Sequence, residues 1–219
     1  PSNVFPTADG QMVLIAANQD TVSARLAEAM DRPELAEDER YATHSARGEY
    51  MEEACLASPG TMASVIGLPM EEVRSACASA QRFGTVNVAN ANSPGQVVVS
   101  GEKAAVQAAG KLAQERGAKT VIPLKVSGAF HSKLMEEAGK RLSAELRKTR
   151  VTTVSVPVVA NVTGEEETEP EDIVENLARQ VTGTVLWQKS VEFLVSRGVK
   201  TFEEVGCGKV LQGVVRRIC

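Results

Sequence analysis

Two histidines, His44 and His131, are the only imidazole groups in this chain that could act as a general base near neutral pH. His131 lies in the string S-G-A-F-H-S (127–132), where a predicted strand ends and a predicted helix begins. The carboxyl ends of strands in α/β folds commonly present reacting groups. A single histidine before a helix is more often a capping or packing residue, so its residue type alone assigns it no role.

Composition limits the class of protein. The chain has 219 residues, of which 43% are hydrophobic and 24% charged, enough for a packed core and unlike disordered or fibrous sequences. Its formal net charge of -4 disfavours binding to nucleic-acid phosphates. No apolar run is long enough to cross a membrane, and the first residues lack the pattern of a secretory signal. We therefore expect a soluble, cytoplasmic protein with no nucleic-acid or membrane partner.

The four cysteines are scattered and form no C-x-x-C pair: Cys55, Cys77, Cys207 and Cys219. With only two histidines beside them, a zinc site is not expected. Nothing near the cysteines indicates a depressed thiol pKa, so they are interpreted as small buried hydrophobic residues. The expected metal content is none.

Hydrophobic patterning predicts an α/β protein whose central part, residues 61–127, is a ferredoxin-like lobe in the order strand, helix, strand, strand, helix, strand. The corresponding segments are 61–68, 69–80, 85–91, 96–100, 102–116 and 119–126, with a turn at 92–95. Before this lobe we predict a strand at 11–17, a helix at 21–30 and, at 31–49, a loop-rich connector with short helical pieces. After it we predict helices at 132–149, 170–180, 187–197 and 210–218, strands at 154–161 and 201–205, and an acidic loop at 165–169.

Several strings, in order along the chain, resemble the malonyl-CoA:acyl-carrier-protein transacylase family and the acyltransferase domains of polyketide and fatty-acid synthases. They are R-G with Met51, T-M-A-S-V-I-G-L, N-A-N-S-P-G-Q-V-V-V-S-G, V-S-G-A-F-H-S, Arg179-Gln180 before Trp187, and E-V-G-C-G-K-V-L. The resemblance runs from residue 47 to residue 218. It implies a connecting helix at 47–60, the ferredoxin-like small lobe at 61–127, and at 128–219 the C-terminal part of a hydrolase-like large lobe that is incomplete.

The resemblance also implies roles for individual residues. His131 is similar to the family's general base, and Gln180 to the glutamine that orients it. Arg47 is similar to the arginine that binds the free carboxylate of the malonyl group, a task for which a guanidinium fork is well shaped. Asn90 and Asn92 correspond to positions near the coenzyme A or pantetheine arm, and the alternative is that they only build a turn.

Two family motifs are missing from the sequence: the N-terminal G-Q-G-like loop and the G-H-S-x-G nucleophile elbow. The nearest imitation is T-H-S-A-R-G-E-Y (43–50), which lacks the preceding glycine and follows no apolar strand. Ser45 is therefore a poor candidate nucleophile, and His44 shares its misleading string. No other serine is assigned this role.

The first segment, residues 1–46, is similar instead to part of the class III coenzyme A transferases. That family's catalytic aspartate lies upstream of the matching segment, so Asp9 and Asp20 are interpreted as a turn residue and a helix N-cap. A gene fusion, an assembly artefact and a designed recombination would each produce such a junction near Ser45.

The function that the resemblance implies is transfer of a malonyl group from coenzyme A to acyl carrier protein in fatty-acid synthesis, through a serine ester. No cofactor is expected beyond the phosphopantetheine of the carrier, and the chain is expected to be a monomer. Because no elbow serine is present, we expect negligible turnover by this chain alone. Two alternatives stay open: a non-catalytic fragment that binds carrier protein or coenzyme A, and a chimera related to coenzyme A transferases.

Overall fold

The computed structural model of this chain describes residues 2–6, 12–16, 42–152, 157–205 and 209–219. Within these ranges the protein is a mixed α/β structure. It begins with two antiparallel strands, β1 (Ser2–Pro6) and β2 (Met12–Ala16), of which the second was predicted. The helix predicted at 21–30, residues 153–156 of the strand predicted at 154–161, and Cys207 lie outside the described residues.

Helix α1 (Ala42–Ala57) corrects the prediction of a loop-rich connector up to Glu49. Its residues are mostly good helix formers, and one face packs against the C-terminal half of the chain through Tyr50, Met51 and Cys55. This tertiary contact stabilises a helix whose sequence shows little apolar periodicity. The helix also begins before residue 47, where the connecting helix was expected to start.

The central lobe has the predicted order of elements. It comprises β3 (Thr61–Ile66), α2 (Met70–Ala80), β4 (Val86–Ser93), β5 (Gln96–Gly101), α3 (Lys103–Glu115) and β6 (Thr120–Pro123). The four strands form one antiparallel sheet in the order β4-β5-β3-β6, so the first and third strands of the lobe lie in its centre. Strand β6 is shorter than the predicted 119–126.

The turn between β4 and β5 differs from the prediction. Asn92 and Ser93 belong to β4, and the turn consists of Pro94 and Gly95, with Gly95 at φ +70°. The register of β4 against β5 shifts at Ala89 and again at Asn92. Such bulges add an unpaired residue and bend the strand, which explains why a strand rich in asparagine extends further than its sequence indicates.

The two faces of this sheet have different partners. Val65 and Val99, both fully buried, point toward α2 and α3 and form the core of the lobe. The opposite face carries Met62, Ala89 and Val98, which pack against Phe130. Because successive strand residues point to opposite faces, the near-continuous valine run of β5 supplies both layers.

The C-terminal half begins with a short 3-10 turn (Lys133–Met135) and continues with α4 (Glu136–Leu146), so the helix predicted at 132–149 is shorter and starts irregularly. It then contains β7 (Val158–Ala160), β8 (Glu165–Glu167), α5 (Pro170–Gln180), α6 (Trp187–Ser196), β9 (Phe202–Val205) and α7 (Val210–Ile218). Strand β9 pairs in parallel with β2.

Strand β8 shows that the predicted acidic loop at 165–169 was wrong for its first three residues, which pair with β7. Helix α6 and the residue that follows it supply the compensating charge. Lys189 Nζ lies 2.7 Å from Glu165 Oε1, and an Arg197 guanidinium nitrogen lies 3.1 Å from Glu166 Oε2. Cross-element ion pairs of this kind allow consecutive glutamates to form a strand.

In the part of the chain that the structure describes, no helix is long and apolar enough to cross a membrane. No group of three or more histidine, cysteine or acidic side chains within the same part converges to hold a metal ion.

Candidate active site

The candidate site is built around the histidine loop, which we define as residues 127–132, between β6 and the 3-10 turn. Glycine is required at two of its close contacts. A Cβ atom on Gly128 would overlap Cys55 Sγ, and one on Gly60 would overlap the side chain of Ala129. Because glycine has no side chain, the loop can lie directly on the end of α1 and the start of β3.

Two further residues of the loop fix its ends. Phe130 packs against the face of the central sheet that carries Met62, Ala89 and Val98, and also against the cluster formed by α1, α4 and α5. Ser132 is fully buried and caps the following turn, because its Oγ accepts a hydrogen bond from the Leu134 N–H (3.2 Å) and donates one to the Ala129 carbonyl (2.6 Å). His131 is therefore held between an apolar anchor and a cap.

The backbone of His131 has φ +57°, the left-handed conformation, which no other non-glycine residue in the described part of the chain adopts. Such a conformation costs of order 1 kcal/mol and persists only where the surroundings enforce it. One enforcing contact comes from β4, where Asn87 Nδ2 donates to the His131 carbonyl at 2.9 Å. Strain at a residue of this type is a physical indication of a functional site.

The ring of His131 is held by the C-terminal half. Its Nδ1 lies 2.8 Å from the main-chain carbonyl oxygen of Gln180. A carbonyl can only accept a hydrogen bond, so Nδ1 carries the proton of the neutral ring and Nε2 keeps its lone pair. The contact therefore selects the tautomer in which Nε2 can accept a proton.

Gln180 is the last residue of α5, and this position explains why its carbonyl is available. The final carbonyl groups of a helix have no partner within the helix. The negative end of the helix dipole also lies there, which favours a protonated imidazole beside it. The structure thus brings Gln180 to His131, as the resemblance implies, but the atom that contacts the ring belongs to the main chain.

The local environment shifts the pKa of His131 below its ordinary value. Burial is the main cause, and the positive charge of Arg47 acts in the same direction. The main-chain contacts with Gln180 and Gly183 oppose the shift and raise the pKa. The net effect keeps the imidazole neutral, which is the form required of a general base.

Arg47 lies in α1 and is half-buried. Burial lowers the pKa of its guanidinium from the ordinary value, yet arginine stays charged at any physiological pH. Among the residues that the structure describes, Arg47 has no carboxylate within ion-pair distance. A partly desolvated cation close to the candidate base is therefore available for an anionic ligand.

Asn90 and Asn92 are both half-exposed residues of β4, so Asn90 lies in a strand, as the pattern at 85–91 predicts, and Asn92 does not lie in the turn predicted at 92–95. Asn90 faces Val185 across an isolated parallel bridge, in which the Ala91 N–H donates to the Val185 carbonyl and the Val185 N–H to the Ala89 carbonyl, both at 2.8 Å. Asn92 occupies the second bulge of the strand. The two asparagines thus lie along the edge where the central lobe meets the C-terminal half.

Ser45 is the fourth residue of α1. A nucleophile elbow places its serine on a sharp turn from a strand into a helix, and the interior of a helix does not provide that geometry. The backbone therefore agrees with the interpretation of the 43–50 string as an imitation. The side chains of His44 and Ser45 lie outside the described part of the structure.

Sequence reasoning missed Asn87 and Thr184. Asn87 contacts the histidine loop, and Thr184 Oγ1 donates to the Val88 carbonyl at 2.7 Å, joining the segment after α5 to β4. The available signal was weak: β4 carries three asparagines, a residue type depleted in strands, and nothing in the sequence sets Asn87 apart from Asn90 and Asn92.

Comparison with known families defines the class of protein. The chain matches the acyl transferase domain family over residues 35–218, most of its length, and it belongs to that family. The match begins upstream of residue 47, where the resemblance seen in the sequence was expected to start.

Among similar curated proteins is a malonyl CoA-acyl carrier protein transacylase from Bacillus subtilis, 42% identical over 173 residues, or 78% of this chain and 55% of that protein. The Escherichia coli protein of the same name is 43% identical over 172 residues and is covered to 56%. This chain therefore spans about half the length of the curated relatives that it matches.

Solved structures give the same result. MCAT from Streptococcus pneumoniae matches with a TM-score of 0.77 and 41% identity, over 81% of this chain and 58% of that one. The malonyl-transacylase PlMCAT, solved in complex with a type II polyketide acyl-carrier protein, matches with a TM-score of 0.79 and 37% identity, over 86% of this chain and 59% of that one.

Proposed function

We propose that this chain contributes to transfer of a malonyl group from coenzyme A to acyl carrier protein through a serine ester. The observation that carries the proposal is the buried neutral imidazole of His131, whose Nδ1 is held by the Gln180 carbonyl, together with the Arg47 cation, whose positive charge acts on that ring and lowers its pKa. One residue supplies a neutral base with a defined tautomer, and the other supplies a cation that has no carboxylate partner among the described residues. Their combination fits an acyl group that bears a free negative charge.

In the proposed reaction, His131 Nε2 accepts the proton of a nucleophilic serine, for which this sequence offers no G-H-S-x-G elbow, as the serine Oγ attacks the thioester carbon. The tetrahedral intermediate then expels the coenzyme A thiolate, which takes the proton back from the imidazolium. In the second half-reaction Nε2 accepts the proton of the phosphopantetheine thiol, whose sulfur attacks the ester. The tetrahedral intermediate then expels the serine oxygen, which takes the proton back from the imidazolium. The Gln180 carbonyl stabilises the transient imidazolium through Nδ1–H in both halves.

Arg47 would bind the carboxylate of the malonyl group throughout. Two parallel N–H···O contacts from a guanidinium fix the orientation of a planar carboxylate, which a lysine ammonium cannot do. An acetyl group has no charge at this end, so Arg47 provides selection for malonyl over acetyl. Asn90 and Asn92 are proposed to contact the pantetheine arm, since both lie at the edge between the two halves.

We also propose an assignment of the parts of the chain to known folds. We infer that residues 61–127 are a ferredoxin-like small lobe, supported by the strand order β4-β5-β3-β6, and that 128–219 belong to a hydrolase-like large lobe. We also propose that residues 1–46 derive from a class III coenzyme A transferase, and that the protein is cytoplasmic, monomeric and without a resident cofactor. Sedimentation at several concentrations tests the monomer.

Titration calorimetry of malonyl-CoA and acetyl-CoA against the chain tests the role of Arg47. We expect malonyl-CoA to bind more tightly, and we expect Arg47→Gln to bind both thioesters equally. Arg47→Lys should recover only part of the difference, because it keeps the charge and loses the fork. Arg150→Gln, at an exposed position, is the matched control and should retain the full preference. Equal binding of the two thioesters by the wild-type chain would contradict the proposal.

A second candidate function is binding of coenzyme A or carrier protein without catalysis, favoured by the absence of a G-H-S-x-G string from the sequence. Intact-mass measurement after incubation with malonyl-CoA separates the two. We expect no malonyl ester on this chain alone, in agreement with the binding function. Rapid ester formation that is lost in Ser45→Ala would instead identify Ser45 as a nucleophile.

A further inference from the structure

Asn87 connects the central sheet to the backbone of the candidate base. Its Nδ2 donates to the His131 carbonyl at 2.9 Å and to the neighbouring Val88 carbonyl at 3.0 Å. An amide nitrogen has two hydrogens, so both are used. The side chain is thereby fixed at its nitrogen end against the histidine loop.

The oxygen of the same amide does not explain why an asparagine stands at this position. Asn87 Oδ1 is buried and makes no hydrogen bond within the described part of the chain. Ser100, directly opposite Asn87 in the register of β4 and β5, is fully buried, and its Oγ is likewise unpaired among the described residues. A buried carboxamide with one unpaired atom is costly, and asparagine would be a poor choice here for strand packing alone.

The contact acts on the strained residue of the loop. His131 holds φ +57°, and its carbonyl is the peptide group immediately after that dihedral. Loss of the Asn87 donor would leave this carbonyl without the contact and would allow the backbone to relax toward a common conformation. Since the imidazole is attached to the same residue, the ring would then move away from the Gln180 carbonyl.

We propose that Asn87 is a positioning residue, which holds the main chain of His131 from the central lobe while the Gln180 carbonyl holds its ring from the C-terminal half. Thr184 and the bridge at Val185 tie the two sides together at Val88 and Asn90. The ring orientation is therefore set jointly by both halves. The catalytic consequence rests on the proposed function, whereas the geometric claim does not.

Nitrogen-15 NMR of the histidine rings tests the claim, in a His44→Gln background that leaves His131 as the single histidine. The wild-type ring should show one tautomer, protonated at Nδ1. Asn87→Ala should lose this signature and give shifts averaged between the two tautomers. Asn176→Ala is the matched control, because it removes a comparable hydrogen bond, to Glu167 Oε2 at 2.7 Å, on the helix that ends at Gln180, without touching the His131 backbone. It should keep the wild-type tautomer.

Asn87→Asp provides a second variant with the same shape and no N–H donors, for use if Asn87→Ala does not fold. Trp187 fluorescence reports whether each variant is folded. A folded Asn87→Ala or Asn87→Asp protein that keeps the single Nδ1–H tautomer would overturn the proposal and leave Asn87 a structural role. The malonyl-CoA titrations with Arg47→Gln are independent of this result, so failure of the proposed function and failure of the positioning role can be told apart.

Discussion

The central sheet and the histidine loop are stabilised in opposite ways. The sheet buries an apolar layer on each face, with Val65, Val97 and Val99 almost inaccessible to solvent. The histidine loop buries little apolar surface beyond Phe130 and Ala129 and depends on single polar contacts, each supplied by a different element. Many interchangeable contacts stabilise the sheet, whereas a few specific ones determine the loop.

Because of this difference, substitutions in the sheet should change the stability of the protein, whereas substitutions in the histidine loop should change the geometry of the candidate site. One apolar contact in the sheet can be weakened without moving any reacting atom, because the surrounding apolar contacts keep the backbone in place. A contact in the histidine loop has no such substitute, since the left-handed backbone of His131 relaxes when one support is removed. Substitutions in the two regions should therefore affect different measurements.

The largest effect on stability is expected for Val65→Ala in the middle of the sheet. Removing two buried carbons from a fully buried side chain and leaving a cavity should lower the free energy of unfolding by about 2 to 3 kcal/mol. Urea unfolding followed by Trp187 fluorescence measures the change. The His131 tautomer should not change, and a Val65→Ala protein with an altered tautomer would break the comparison.

A smaller loss, about 1 to 2 kcal/mol, is expected for Gly128→Ala, because the new Cβ overlaps Cys55 Sγ. Here the His131 ring signals should shift as well, since the loop must move. Cys55→Ala in the same protein removes the obstructing sulfur and should restore both properties. If the double variant is no better than Gly128→Ala alone, the overlap is not the cause.

The pH dependence of stability should show the depressed pKa of His131. Between the folded pKa and the ordinary value of 6.5, the unfolded chain binds more protons than the folded one. The stability contribution is therefore present above pH 6.5 and is lost as the pH falls through the folded pKa. His131→Gln should flatten this part of the profile, measured by urea unfolding at closely spaced pH values. An unchanged slope would assign it to other groups.

The smallest effect on the site is expected for Gln180→Ala. The side chain is buried, so some stability is lost, but the main-chain carbonyl that contacts His131 remains. The ring should keep its Nδ1–H tautomer in nitrogen-15 spectra. Loss of the tautomer in this variant would show that the side-chain amide, and not the carbonyl, orients the ring.

The sequence predicts the central lobe well because its elements are defined by local signals. Pro69 precedes α2, Gly117 follows α3, and the apolar strings lie at the positions of β3 and β5. The start of helix α1, before residue 47, was missed because tertiary packing, not periodicity, stabilises the helix. Strand β8 was missed because the cations that face its glutamates, Lys189 on α6 and Arg197 just after it, are distant in the sequence. In both cases the stabilising residues are distant in the sequence, so a local sequence pattern cannot reveal them.

For the candidate site, the sequence offers candidate residues, whereas the contacts between them come only from the structure. The family strings identify His131, Gln180 and Arg47, but no string reveals that a carbonyl orients the ring. Every residue has a main-chain carbonyl, so the residue type cannot indicate that this atom makes the contact. Asn87 was missed for a related reason, since its role depends on the fold bringing β4 to the histidine loop.

The ring nitrogens of His131 in the wild-type protein test the account most directly. Nitrogen-15 spectra recorded across a pH titration, with the single histidine of the His44→Gln background, report both the tautomer and the pKa. The account predicts a proton on Nδ1, a bare Nε2 at neutral pH, and a pKa below that of an ordinary imidazole. A ring protonated at Nε2, or a pKa at or above the ordinary value, would contradict the role of His131 as the base.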